Sequence, residues 1–468
     1  MKTINTFLIL GFFIGFSNTL FGQTPDNSKL VELESAILND MKISGAPGAV
    51  IGVVKDGQIV YQKAFGLSNV NTQIPVNNST VFEMASVTKM FTAAALLTLC
   101  EKNDIDINAP IGNIIKDLSP KLSQVTIHQL LSHSSGIMDF WPNKNECKES
   151  LHEYFLNGGD DVFFEEPDKV FSYSNNGYAL AGLLLATLNN SSYPKAVNDI
   201  LLKPLGMNNT TFELREVTVN HFATGHVEGK AVPILSFITN PITQPAGGLF
   251  SNVSDMAKFA ACIANNGIYD SKQIISQEVL KKMFGKYQLD ATMYQYLGYP
   301  NSYYGYGLIN YTYKGINFVG HPGEAVNQNS LLVVAPEHKT AIMVFSNAGY
   351  YPFINSIEKA VDIFLPVKKE EKKDIKFNQD LKQLIGRYYQ SNFNKSKNVW
   401  LEIGFNDNKQ LQITYSRDKK SYELTQFGEN RFKFRDPDYK FVIEIGFYND
   451  NSGKVKYLNY LGRAYVKE

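Results

Sequence analysis

Apolar residues recur along this chain with two periods, and the places where the period changes divide it. Residues 28–42 space their apolar positions three and four apart and predict an amphipathic helix. Ala49–Val54 and Gln58–Phe65 predict strands, joined by Lys55-Asp56-Gly57, a hairpin turn signature. From Ser86 to about residue 285 the pattern turns helical, with loops between the helices. Strand-like runs return at about 305–313, 315–320, 330–335 and 340–345, and a closing helix is expected over about 353–364. A sheet built from both ends of such a stretch, with a helical insertion between, is a two-lobed α+β arrangement.

Pro366–Asp374 then brings a run of charges that reads as a linker, assigned to residues 368–375. Beyond it the period becomes that of short strands: Leu384–Tyr389, Val399–Ile403, Leu411–Tyr415, Tyr422–Phe427, Arg431–Phe434, Phe441–Phe447 and Val455–Leu461. Strands at this spacing, with turns between, predict a small all-β barrel or curled sheet over residues 376–468. At the other end, Lys2 followed by the apolar run Phe7–Phe16 reads as a secretory leader over residues 1–22. The run is too short to span a bilayer comfortably, although an uncleaved anchor is the alternative. The expectation is therefore an exported protein, periplasmic or secreted, with no transmembrane span after leader removal, and a main domain over residues 23–367.

Composition narrows the function classes. The chain has 468 residues, 44% hydrophobic and 19% charged, with zero net charge, so it supports a sizeable core and shows no basic stripe for nucleic acid. Three cysteines, Cys100, Cys147 and Cys262, cannot make a complete disulfide framework. Cys100 and Cys262 fall in apolar helical runs and read as core residues. Neither His-Glu-x-x-His nor Cys-x-x-Cys occurs, so no metal or other cofactor is expected. Tyr287, Tyr294, Tyr296, Tyr299, Tyr303, Tyr304 and Tyr306 crowd one stretch, which reads as strand packing first and an aromatic cleft second.

The chemistry concentrates at Ser86-Val87-Thr88-Lys89, ahead of a run of helix formers. If Ser86 opens that helix, Lys89 lies one turn on, on the same face, within reach of the hydroxyl. Unpaired N–H groups of the helix start would face whatever Ser86 attacks. Hydroxyl, adjacent base and electrophilic pocket are the parts of an activated serine. The spacing alone is weak, because it recurs at Ser192–Lys195, Ser356–Lys359 and Ser416–Lys419. Position separates the copies: Ser86 stands where a loop meets a buried helix.

Two later fragments, Tyr173-Ser174-Asn175 and His321-Pro322-Gly323, complete an ordered set with Ser86-x-x-Lys89. In that order and separation the chain resembles the serine β-lactamase and penicillin-binding-like hydrolases, nearest to class C β-lactamases, their D-amino-acid peptidase relatives and related carboxylesterases. Leu130–Ile137, Lys203–Thr210 and Pro245–Leu249 with Ser251–Phe259 resemble further segments of that family, and the likeness covers residues 30 to 365. It implies an antiparallel sheet flanked by helices, a mostly helical lobe, and an active site in the groove between. The C-terminal barrel resembles lipocalin-like modules attached to some of these hydrolases, with packing, homo-oligomerisation or substrate gating as its roles.

The same resemblance implies acyl transfer through a covalent serine ester. Ser86 would be the nucleophile, with Lys89 or Tyr173 as base and Tyr173 relaying the proton. Asn175 would bond Lys89 and the substrate, and His321 and Gly323 would also border the substrate. The N–H groups of Ser86 and Glu324 would form the oxyanion hole. Pro322 stands where β-lactamases carry a hydroxyl, and His321 carries less charge than the lysine many of them have. Both departures count against penicillin-type carboxylates. They favour a peptide containing D-amino acids, a cell-wall peptide, another amide or an ester. A β-lactamase, or a penicillin-binding-like sensor with little turnover, is the alternative. His133, His221 and His226 lack a Gly-x-Ser-x-Gly partner and read as structural.

Overall fold

The computed structural model describes residues 26–139, 150–216, 221–233, 240–289, 302–349, 351, 353–368, 377, 380–391, 397–439 and 442–468. The expected leader at 1–22 lies outside these residues, as do Cys147, Tyr294, Tyr296, Tyr299 and all of the expected linker but Lys368.

The main sheet is antiparallel and nine-stranded. Its order is Gln288–Leu289, Tyr303–Tyr304, Ile309–Tyr313, Ile316–Glu324, Asn329–Ala335, Thr340–Ser346, Gly48–Lys55, Gln58–Asn69, Ile74–Pro75. The first hairpin forms as its turn residues require, with Asp56 at φ 49° and Gly57 at φ 80°. Gly48–Lys55 then pairs with Thr340–Ser346, Ala49 opposite Ser346, which closes the two ends of the domain on each other.

Successive residues of these central strands enter opposite cores. Val50 and Val54 join the cluster under the helical lobe, whereas Ala49, Ile51 and Val53 join the one beneath the helices Asn27–Ser44 and Ile354–Phe364. With both faces covered the strands read as continuous apolar runs. Asp40 ties the two terminal helices together. Its carboxylate accepts from Ser356 N at 2.8 Å, Ser356 Oγ at 2.6 Å, Asn355 Nδ2 at 2.7 Å and Tyr351 Oη at 3.1 Å.

Three strand expectations change. The Ile316 strand runs on through His321-Pro322-Gly323 to Glu324 instead of stopping before them. Pro322 is tolerated there because the neighbouring Ile309–Tyr313 strand ends opposite Gly320, leaving no partner that needs its N–H. The expected Tyr422–Phe427 strand is two, Ser421–Glu423 and Thr425–Gly428, and a last strand, Arg463–Lys467, follows the final expected one. The C-terminal sheet also has nine antiparallel strands. Its two edges, Ser421–Glu423 and Thr425–Gly428, are consecutive in sequence, so the sheet curls into a nearly closed barrel around Tyr388, Ile413, Ile445 and Leu458.

Candidate active site

Ser86 occupies a single 3-10 turn, Ala85–Val87, that runs into the helix Thr88–Lys102. Ala85 sits at φ 42°, a left-handed conformation that costs a non-glycine residue about 1–3 kcal/mol and sets a sharp turn before the serine. Between Val81 and Met90 every residue is buried except Ser86. The turn is held from the far side by the Ile316–Glu324 strand. A Cβ on Gly323 would stand 2.1 Å from the Met84 carbonyl oxygen, so only glycine permits this approach. Ser330 Oγ donates to the same carbonyl at 2.7 Å.

Lys89 is fully buried one turn after Ser86. Its Nζ lies 3.1 Å from Ser86 Oγ, 2.8 Å from Asn175 Oδ1 and 2.6 Å from the Ala246 carbonyl oxygen. Burial holds its pKa well below the ordinary lysine value, with Asp139 opposing and Arg463 reinforcing the shift. A neutral amine keeps two N–H bonds, for Asn175 and Ala246, and turns its lone pair to the Ser86 hydroxyl. Tyr173 Oη donates to Ser86 Oγ at 2.9 Å, and burial raises the tyrosine pKa far above its usual value. Tyr173 is therefore a proton donor in the resting site.

Tyr173 and Asn175 are presented by the start of the apolar helix Asn175–Leu188, capped by Ser174, whose hydroxyl accepts from Gly177 N. Both ends of the Asn175 amide are engaged, since Nδ2 donates to Asp139 Oδ1 at 2.9 Å. His133, buried at φ 59°, accepts the Ser174 N–H on Nδ1 at 3.0 Å and packs its ring 4.3 Å from that of Tyr173. It orients the tyrosine segment. His226 is also buried, with Nδ1 against the Asn347 carbonyl.

His321 is placed differently from a side chain that meets substrate in an open groove. It is buried, with Nε2 3.2 Å from Tyr304 Oη, and burial pushes its pKa down to about 3. It is a neutral wall behind the reacting groups. Glu324 is half-buried at the strand's end, and burial lifts its carboxyl to about 7 against the pull of Arg463. Tyr287 stacks on Tyr306 at 4.1 Å, so this part of the tyrosine-rich stretch packs instead of lining a cleft.

Asp139 and Arg463 were not singled out from sequence. Arg463 Nε and Nη2 lie 2.8 and 2.6 Å from Asp139 Oδ2, joining residues 324 positions apart. A lone arginine at the start of a strand and an aspartate shortly after Gly136-Ile137 carry no local signal of this pairing.

Fold and site together are those of the β-lactamase and penicillin-binding-like superfamily. The Beta-lactamase family model matches residues 33–361, and the chain belongs to that family. Protein flp of Staphylococcus aureus strain MW2 is 27% identical over 69% of this chain. The chain spans 64% of that protein's length. Penicillin-binding protein 4 of Amycolatopsis lactamdurans is 26% identical over 65% of this chain and 81% of its own. Among solved structures, the octameric penicillin-binding protein homologue from Pyrococcus abyssi has a TM-score of 0.64 at 26% identity, covering 94% of this chain and all of that one. SurE with D-Leu has a TM-score of 0.71 at 20% identity, covering 95% of this chain and all of that one, which shows the shared fold.

Proposed function

We propose that this chain is an exported serine amidohydrolase that cleaves small peptides, with D-amino-acid or cell-wall peptides as the substrate class and carboxylesters as the second. The observation that carries the reading is the buried amine of Lys89, 3.1 Å from the Ser86 hydroxyl and provided with two other acceptors. Lys89 takes the Ser86 proton as Oγ bonds to the carbonyl carbon. The N–H groups of Ser86 and Glu324 hold the oxyanion, and losing one such donor costs on the order of 10²–10³ in rate. The carbon–nitrogen bond then breaks. Tyr173 supplies a proton to the departing amine and is reprotonated from Lys89. Water releases the acyl group by the reverse proton path.

An amine needs a proton to leave, and Tyr173 is held protonated on Ser86 Oγ, which favours an amide over an ester. A separate feature counts against a β-lactam. A penicillin carboxylate would find no hydroxyl at Pro322 and no cation at position 321, where many β-lactamases offer a lysine and this chain has a buried, neutral histidine. Export is supported by Lys2 and the apolar run Phe7–Phe16. Among the described residues no helix is long and apolar enough to cross a membrane. The octameric relative supports a homo-oligomer; assembly through the barrel is part of the proposal, which native mass before and after deletion of residues 376–468 would test.

Release of the amine product from a panel of dipeptides with D- and L-residues, beside a p-nitrophenyl ester and a penicillin, tests the substrate class. Turnover of D-containing peptides that Ser86→Ala abolishes is expected. Turnover of penicillin alone would replace the peptidase reading with a β-lactamase, and ester turnover alone with an esterase.

A further inference from the structure

The barrel reaches the serine site through one hairpin. Val455–Tyr460 and Arg463–Lys467 are joined by Leu461-Gly462, at φ 51° and 76°, a two-residue turn that projects from the barrel. Its tip is fixed to the segment that carries Tyr173. Gly462 O accepts the Tyr173 N–H at 2.9 Å, and Ala464 N donates to Ser172 Oγ at 3.2 Å. Behind the tip, Lys456 Nζ and Tyr457 Oη bind Glu165 at 2.7 and 2.8 Å.

Arg463 extends from this tip. Its guanidinium binds a single oxygen of Asp139, Oδ2, and Nη1 donates to its own Leu461 carbonyl at 3.1 Å. That leaves Asp139 Oδ1 for the Asn175 N–H at 2.8 Å and Nδ2 at 2.9 Å. Asn175 in turn holds Lys89. The guanidinium also stands 5.5 Å from the ring of Tyr173.

We propose that Arg463 is a positioning residue for acylation: the C-terminal barrel delivers it to Asp139, whose charge it masks, so that Asn175 and Lys89 keep the arrangement that activates Ser86. This rests on Ser86 being the nucleophile. Asp139 is buried, and a buried carboxylate without its partner acts strongly on nearby charge. The other groups around Lys89 are Ser86, Asn175, the Ala246 carbonyl, the rings of Tyr173 and Tyr178, and the neutral His133 and His321. The Arg463–Asp139 pair supplies the opposed charges that act on Lys89. With Arg463 gone, Asp139 would favour protonated Lys89. With Asp139 neutralised, Arg463 would favour the free amine.

The test is the second-order rate of fluorophosphonate labelling from pH 5 to 9, on the full chain, with Ser86→Ala as control. Arg463→Ala is expected to move the acidic limb to higher pH and slow labelling about tenfold on that limb, the size expected from one pKa unit. Asp139→Asn is expected to move the limb the other way, and the double variant to return within about threefold of wild type. Arg463→Lys keeps the charge and should stay near wild type. Opposite shifts that cancel are not what a lost docking contact gives. If Arg463→Ala does not fold, the Asp139→Asn shift and the Arg463→Lys profile decide. Unmoved limbs, or uniform slowing at every pH without rescue, would overturn the proposal and leave the nucleophile standing. No labelling of wild type would remove both.

Discussion

Ser86–Lys89 and Ser356–Lys359 share one spacing near the start of a helix, yet the protein treats them in opposite ways. At the first, the lysine is buried and its amine meets the serine hydroxyl. At the second, the serine donates to Asp40 while Lys359 leaves it for Glu32, at 3.0 Å on an exposed surface. Ser192–Lys195 and Ser416–Lys419 also separate, with Lys195 on Asp199 and Ser416 on Trp400 N. What differs is solvent. Around Ser86 the fold strips water from Lys89 and Glu83 and favours their neutral forms: Lys89 is pushed down, and burial lifts Glu83 to about 8. Around Ser356 it buries one carboxylate and gives it four donors. The first arrangement costs stability and makes a reagent; the second makes a joint between two helices.

Breaking the first pair should have the largest effect. Lys89→Ala is expected to slow acylation on the order of 10²–10⁴-fold, the range for loss of a general base, measured as labelling rate. In wild type, the rate should rise with pH through the lowered Lys89 pKa and reach its plateau well below pH 10, because only the neutral amine accepts the proton. A rate that still climbs near pH 10 would show an ordinary lysine at work.

Breaking the second pair should move stability alone. Ser356→Ala removes a buried donor to Asp40 and should cost about 1–3 kcal/mol in urea unfolding, with labelling of Ser86 unchanged. Glu83→Gln should have an effect that depends on pH. The native carboxyl, with its pKa raised, resists ionisation, so stability falls as pH rises from the unfolded value near 4.5 toward about 8. The variant should therefore melt a few degrees higher than wild type at pH 8 and nearly alike at pH 4.5. Lys359→Ala removes an exposed ion pair and should change stability by less than about 1 kcal/mol and labelling not at all.

The comparison also marks what the sequence could show. The grouping of Ser86 with Lys89, Tyr173 and Asn175 was legible because its signals are local: a loop meeting an apolar helix, then Tyr173-Ser174-Asn175 just before another; the 3-10 turn that holds Ser86 ahead of the helix was not. The hairpin at Asp56-Gly57 was legible for the same reason. The continuation of the Ile316 strand through Pro322 was hidden, since a proline inside a strand is acceptable only where the neighbouring strand has ended, and that is a property of the sheet. Leu461-Gly462 was hidden as a turn because leucine rarely adopts positive φ, and so the strand after it was missed. Asp139 and Arg463 carry no mutual signal, since the charge each one needs arrives from another domain. The burial that makes His321 neutral is likewise absent from the tripeptide that holds it.

The most direct measurement is peptide mapping of the full chain after fluorophosphonate labelling at neutral pH, in wild type, Ser86→Ala and Ser356→Ala. One adduct is predicted, on the peptide containing Ser86, absent from Ser86→Ala and undiminished in Ser356→Ala. An adduct on any other serine, or one that survives Ser86→Ala, would contradict the claim that burial of Lys89 beside Ser86 makes this the nucleophile.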